Sequence, residues 1–191
     1  MTSYFDGLAG LFSRSVCRAA SGGEVGLEEG LRAAAALAGE RTAAGGAVIL
    51  VGNGGSAAIA SHVAVDYFKA GVRAVSFNDG PMLTCMGNDF GYEQVFSKPV
   101  EFFARPGDLL VAISSSGRSL NILNAARAGR ERGCAVVTLS GFDPDNPLRA
   151  LGDLAFYVPS HSYGYVETVH MAVCHGMFDL FAEARRGPLA D

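Results

Sequence analysis

A chain of 191 residues with 49% apolar side chains is long enough for one well-filled core, and a single domain over residues 1–191 is the expectation. Its 15 basic and 19 acidic residues give a net charge of −4 and a charged fraction of 18%, against roughly 25% in average soluble domains, so part of the surface is expected to be covered by further copies of the chain. Lys69 and Lys98 are the only lysines, which with the acidic balance argues against a nucleic-acid binder or a polybasic membrane-surface protein.

In chain order, Phe5, Leu8, Leu11, Phe12 and Val16 recur at helical spacing and Ser21-Gly22-Gly23 interrupts them. An alanine-rich helical pattern then runs over Leu27–Thr42 and stops at Gly45-Gly46. Residues 1–45 thus predict two helices. From 46 to 186 short apolar runs alternate with longer amphipathic ones. Strands are predicted over Ala47–Val51, Ala74–Phe77, Leu109–Ile113, Ala135–Leu139 and Leu154–Val158. The first, third and fourth are apolar at both parities, as in a parallel strand covered on both faces. Helices are predicted between them over Ala57–Ala70, Met82–Met86, Glu93–Phe103, Leu120–Arg132 and Pro147–Leu151, with a last one near Gly164–Arg185. Such alternation means an α/β fold with helices on a parallel sheet.

Thr42 to Val65 contains no charged residue. It is not a membrane span, because only Ala47–Val51 is continuously apolar and a glycine-rich polar loop follows. No secretory leader is expected at the N-terminus. Cys17, Cys85, Cys134 and Cys174 form no CxxC pair, and three lie in apolar runs; they predict buried thiols in a cytoplasmic protein.

Ligands of such folds bind beyond the C-terminal ends of the strands. After the first predicted strand comes Gly52-Asn53-Gly54-Gly55-Ser56, and after the third comes Ser114-Ser115-Ser116-Gly117-Arg118-Ser119; each opens a helix. Glycines admit close backbone approach, and helix N-termini offer free N–H groups. Taken singly, each loop fits a turn with an N-cap. Together on one sheet edge they favour an anionic ligand such as a phosphate. A rival reading is a nicotinamide-dependent enzyme, since Gly52-x-Gly54-x-x-Ala57 fits the GxGxxG/A fingerprint and Asp79 follows the second strand. It leaves the serine loop unexplained, and no nucleotide cofactor is expected.

The residues Gly52–Ala57, Gly87-Asn88-Asp89, Ile113–Ser119 and a histidine-bearing last helix resemble the SIS (sugar isomerase) domain family, and within it the phosphoheptose isomerase branch. The resemblance implies a three-layer αβα sandwich with a five-stranded parallel sheet, flavodoxin-like, and a homotetramer or dimer of dimers. Residues 1–45 would pack between subunits, and the sites would lie at subunit boundaries. It implies a sugar phosphate held by Ser56, Ser114, Ser115, Ser116 and Ser119, with Asn53, Gly54 and Asp89 near the sugar. The activity implied is aldose–ketose isomerisation through an enediol, on sedoheptulose 7-phosphate or a related sugar. Some members bind zinc, which by resemblance would fall to His62, Asp66, Glu167 and His175. Asp66 stands where the branch has glutamate and Glu167 where it has glutamine, and Tyr163-Gly164-Tyr165 also departs from the pattern. A non-catalytic SIS module, binding a sugar phosphate or a replication-initiator protein, is the alternative.

His62 and Asp66 are four apart and share a helix face. Glu167 and His175 are eight apart, about 80° around the last helix. If the fold brings the pairs together, two imidazoles and two carboxylates make a donor set suited to zinc or another divalent metal. The competing reading gives Asp66 a simple ion pair with Lys69 or Arg73. Isomerisation needs a carboxylate for the carbon-bound proton and an acid or metal at the oxygen. Asp66 or Glu167 is the expected base, and His175 the acid or metal ligand. His170 is expected to be structural and His161 a surface residue.

Overall fold

The computed structural model describes residues 3–19 and 22–186. The chain opens with α1 (Tyr4–Arg14), the strands β1 (Val16–Ala19) and β2 (Glu24–Gly26), and α2 (Leu27–Ala43). It continues through β3 (Val48–Gly52), α3 (Gly55–Lys69), β4 (Ala74–Ser76), α4 (Gly80–Phe90) and α5 (Ser97–Phe103). The remaining elements are β5 (Leu109–Ser114), α6 (Leu120–Glu131), β6 (Ala135–Gly141), β7 (Leu154–Val158) and α7 (Tyr163–Arg186). The sheet order is β2-β1-β7-β6-β5-β3-β4.

Five strands, β4-β3-β5-β6-β7, are parallel, and they are the five predicted. Every residue of β3, β5 and β6 is buried, because helices cover both faces. Val48, Leu50, Leu109, Val111 and Ile113 face α2, α3 and α7. The alternate residues Ile49, Val51, Leu110 and Ala112 face α5 and α6. β4 and β5 flank β3 on opposite sides, so the chain changes its direction of travel across the sheet there. The crevice this creates opens beyond the C-terminal ends of β3 and β5, where the two predicted loops lie.

The N-terminal region is not simply two helices. Both form, but β1 and β2 make an antiparallel hairpin between them, and β1 pairs antiparallel with β7. Val16 therefore belongs to a strand, and Ser21 of the predicted break lies outside the described residues. The hairpin covers what would be an open edge of β7 and buries Cys17 completely. Arg149 anchors it, pairing with Glu24 at 2.5 Å and lying 4.5 Å from the Tyr157 ring centroid. Elsewhere the bounds shift. The Met82–Met86 helix extends to Gly80–Phe90, capped by Asp79, whose Oδ1 accepts from the Met82 N–H at 3.0 Å. Glu93–Phe103 divides into a 3₁₀ turn, Tyr92–Gln94, and α5; Pro147–Ala150 is a single 3₁₀ turn.

Helix α7 leaves β7 and lies beside α3, running the same way. Glu167 meets Gly55, His175 meets His62, and Phe178 and Phe181 meet Tyr67 at 5.1 Å each. This seam carries the candidate site. Among the described residues no helix is long and apolar enough to cross a membrane.

Candidate active site

The β3–α3 loop is shaped by close approach. A Cβ at Gly55 would lie 2.4 Å from Glu167 Oε2, so only glycine lets the Glu167 carboxylate rest on the first turn of α3. The β5–α6 loop is shaped by its turn. Gly117 has φ +63, and a Cβ there would lie within 2.0 Å of Asn146 Oδ1. Asn146 is itself buried and donates to Ser140 Oγ at 3.1 Å and to the Gly141 and Asp143 carbonyls at 3.2 and 2.7 Å. The serine loop thus sits on a rigid polar post.

Between the loops lies a cavity of about 140 Å³, lined by Asn53, Ser56, Ile113, Ser114, Ser115, Ser116, Ser119, Tyr163 and Glu167. No lysine or arginine lines it. Ser119 occupies the N-cap position of α6 but makes no capping bond; its hydroxyl lies 3.3 Å from Ser114 Oγ. Ser115 Oγ is buried without a hydrogen-bond partner. Hydroxyls that a simple N-cap turn would have consumed are thus left for a ligand. Ser116 Oγ accepts from the Arg118 N–H at 3.2 Å, and Arg118 pairs with Asp143 at 3.0 Å.

All five serines expected at the phosphate line this cavity, as does Asn53. Asn53 and Asn121 exchange two hydrogen bonds of 2.9 Å that tie the loops together. The Tyr92 hydroxyl adds a third contact, donating to Asn53 Oδ1 at 3.3 Å. Gly54 lies in the loop and is exposed. Asp89 does not line the cavity; it is exposed on α4, where Asn88 Nδ2 donates to it at 2.9 Å. Asp79, the acid of the dinucleotide reading, is engaged as the α4 cap.

Further along the seam, His62 Nε2 and His175 Nδ1 each lie 3.7 Å from Asp66 Oδ2. One donor atom from each residue lies within 4.8 Å of the others, and the imidazole centroids are 5.1 Å apart. Asp66 Oδ2 is buried and accepts no hydrogen bond. Ligands about 2.0–2.1 Å from a tetrahedral zinc stand about 3.4 Å apart, close to these separations. The orphaned oxygen and the two imidazoles therefore fit a divalent metal, and Asp66 faces them rather than Lys69 or Arg73.

Glu167 is not in this group. Its separation from His175, about 12 Å of helix rise, leaves it one end of the seam away, at the serine cavity. The structure brings together three of the four expected ligands and gives the fourth to the other end.

His170 is fully buried, 3.2 Å from the Ser140 carbonyl through Nε2, and burial lowers its pKa to about 4. His161 is exposed and stacks on Phe142. Cys17, Cys134 and Cys174 are buried, and burial raises Cys174 to about 12. Sequence reasoning assigned no role to Asn121, Ile113 or Tyr163. Asn121, a polar residue two places past the serine loop, and the unusual Tyr163-Gly164-Tyr165 were the available signals.

The SIS domain family profile matches residues 12–141. A phosphoheptose isomerase of Rhodospirillum rubrum is 38% identical over 182 residues, 90% of this chain and 96% of that protein. One from an Enterobacter species is 38% identical over 157 residues, 78% of this chain and 81% of its own length. The structure of phosphoheptose isomerase from Neisseria gonorrhoeae superposes with a TM-score of 0.76 at 36% identity, covering 80% of this chain and 86% of that one. The chain belongs to the SIS domain family.

Proposed function

We propose that this SIS-domain chain is a sugar-phosphate isomerase of the phosphoheptose type, interconverting sedoheptulose 7-phosphate, or a close relative, and the corresponding aldose phosphate. The observation that carries this reading is the His62–Asp66–His175 cluster on the same helical seam as a serine-lined cavity. A non-catalytic module would have no need of the cluster. From Gly55 to His62 the α3 rise is about 10 Å, room for a sugar chain between the two ends.

The serine hydroxyls and loop N–H groups bind the phosphate without a cation, aided by the N-termini of α3 and α6. His62, Asp66 and His175 would hold a divalent metal, zinc by chemistry of the set, and when bound it polarises the sugar's carbonyl oxygen. Asp66, held between two imidazoles, is then a ligand, and His175 with it. Glu167 faces the cavity at the phosphate end, away from that carbonyl, so the group in reach of the two adjacent carbons is the Asp66 carboxylate, whose second oxygen moves the proton between them through an enediol. The same reading carries a homotetramer. It would cover Phe68 and Phe102, each 69% exposed, and would give Asp89 a neighbouring subunit's site to reach.

The test is incubation with sedoheptulose 7-phosphate in deuterated water, followed by NMR. Aldose 7-phosphate carrying deuterium at C2 is expected, and loss of turnover after chelation. A substrate that binds but is never converted, with metal supplied, would leave the non-catalytic module in its place.

A further inference from the structure

Phe142, just past β6, is the one non-glycine residue with positive φ among the described residues, at +60. A bulky side chain is strained there, and such strain persists where the surroundings hold it for a purpose. Both its backbone groups are held: its N–H donates to the Ser160 carbonyl, and its carbonyl accepts from the Tyr157 hydroxyl, each at 2.9 Å. The ring is placed between two others. His161 stacks on it at 5.5 Å and 17°, and Tyr163 meets it edge-on at 5.0 Å and 77°. Tyr163 in turn lines the serine cavity while remaining 62% exposed. An aromatic ring so exposed does little for the fold, yet a strained neighbour fixes its orientation at the cavity mouth.

We propose that Tyr163 is a specificity-determining residue whose ring packs against the C–H face of the substrate carbons next to the phosphate, and that Phe142 is the residue that positions it. This rests on the sugar-phosphate reading of the cavity. It assigns two parts of the ligand to different partners: the phosphate to the serines, the adjoining carbons to an aromatic wall. The wall would therefore separate a phosphorylated sugar from bare phosphate, which the serines alone do not distinguish.

Calorimetry on the whole chain with sedoheptulose 7-phosphate and, separately, inorganic phosphate tests it. Tyr163→Ala is expected to weaken the sugar phosphate about tenfold, the size of one good aromatic contact, and to leave inorganic phosphate within about twofold. Phe142→Asn, which tolerates the backbone but lacks the ring, should weaken it about threefold to fivefold, and Phe142→Tyr should restore it. Should Phe142→Asn fail to fold, Tyr163→Ala still decides. Equal sugar-phosphate affinity in Tyr163→Ala and the natural chain overturns the proposal, as does an equal loss for both ligands. If the natural chain binds neither ligand, the sugar-phosphate reading falls instead.

Discussion

The two ends of the α3–α7 seam solve different problems with different materials. The serine end is built from backbone and neutral hydroxyls on two loops, with one carboxylate laid on a helix start. The histidine end is built from side chains alone, on the flanks of two regular helices, around a carboxylate oxygen with no hydrogen bond. A loop can wrap an anion that offers several acceptors. A metal needs few donors at set distances, which two rigid helices supply more reliably. On the proposed function the seam divides binding from activation.

The division breaks first, if it is wrong, at the two carboxylates. Asp66→Asn is expected to cut turnover about 100- to 10,000-fold, whereas Glu167→Gln should leave metal affinity the same and act on sugar-phosphate binding. Asp66→Asn should weaken metal by more than the roughly 10- to 100-fold typical of an outer-shell partner, and leave inorganic phosphate binding intact. Metal and phosphate titrations on both variants check this. If Glu167→Gln weakens metal as much as Asp66→Asn does, the two ends are one site.

The glycines sharpen the contrast within the serine end. Gly117→Ala meets φ +63 and the buried Asn146 network together, and should cost about 2–4 kcal/mol in urea unfolding. Gly55→Ala meets only the movable end of Glu167, so it should leave stability nearly untouched and weaken sugar-phosphate binding by displacing Glu167 from the helix start.

An effect that appears only in acid concerns His170, on α7 between the two ends. Burial holds its folded pKa near 4, below the ordinary 6.5, so the unfolded chain binds the extra proton first. Its contribution is complete above pH 6.5 and is lost as pH falls toward 4, by about 2–3 kcal/mol. Thermal melts from pH 7 to 4 should show this slope in the natural chain and a shallower one in His170→Asn. That slope must be subtracted before any acid loss of activity is assigned to either end.

The parallel core was legible because β3, β5 and β6 are apolar at both parities, and the two loops because glycine and serine cluster at strand ends. The β1–β2 hairpin was not: strands of 4 and 3 residues carry no periodicity, and their stability comes from pairing with the distant β7. The His62–Asp66 pair followed from spacing on one helix. The separation of Glu167 from His175 into two ends did not, because it depends on how α7 is offset along α3. Asn53 shows the same limit, since its partner Asn121 is 68 residues away.

One consequence concerns the order in which the molecule becomes reactive. The glycine-rich and serine-rich loops are complete by residue 119, while Glu167 and His175 arrive only with the last helix. Contacts between such distant segments carry the largest loop-closure cost and belong to late assembly. A chain whose last helix has opened would keep both loops and lose Tyr163 and Glu167 from the cavity together with His175 from the cluster. Competence for chemistry would then coincide with completion of the fold.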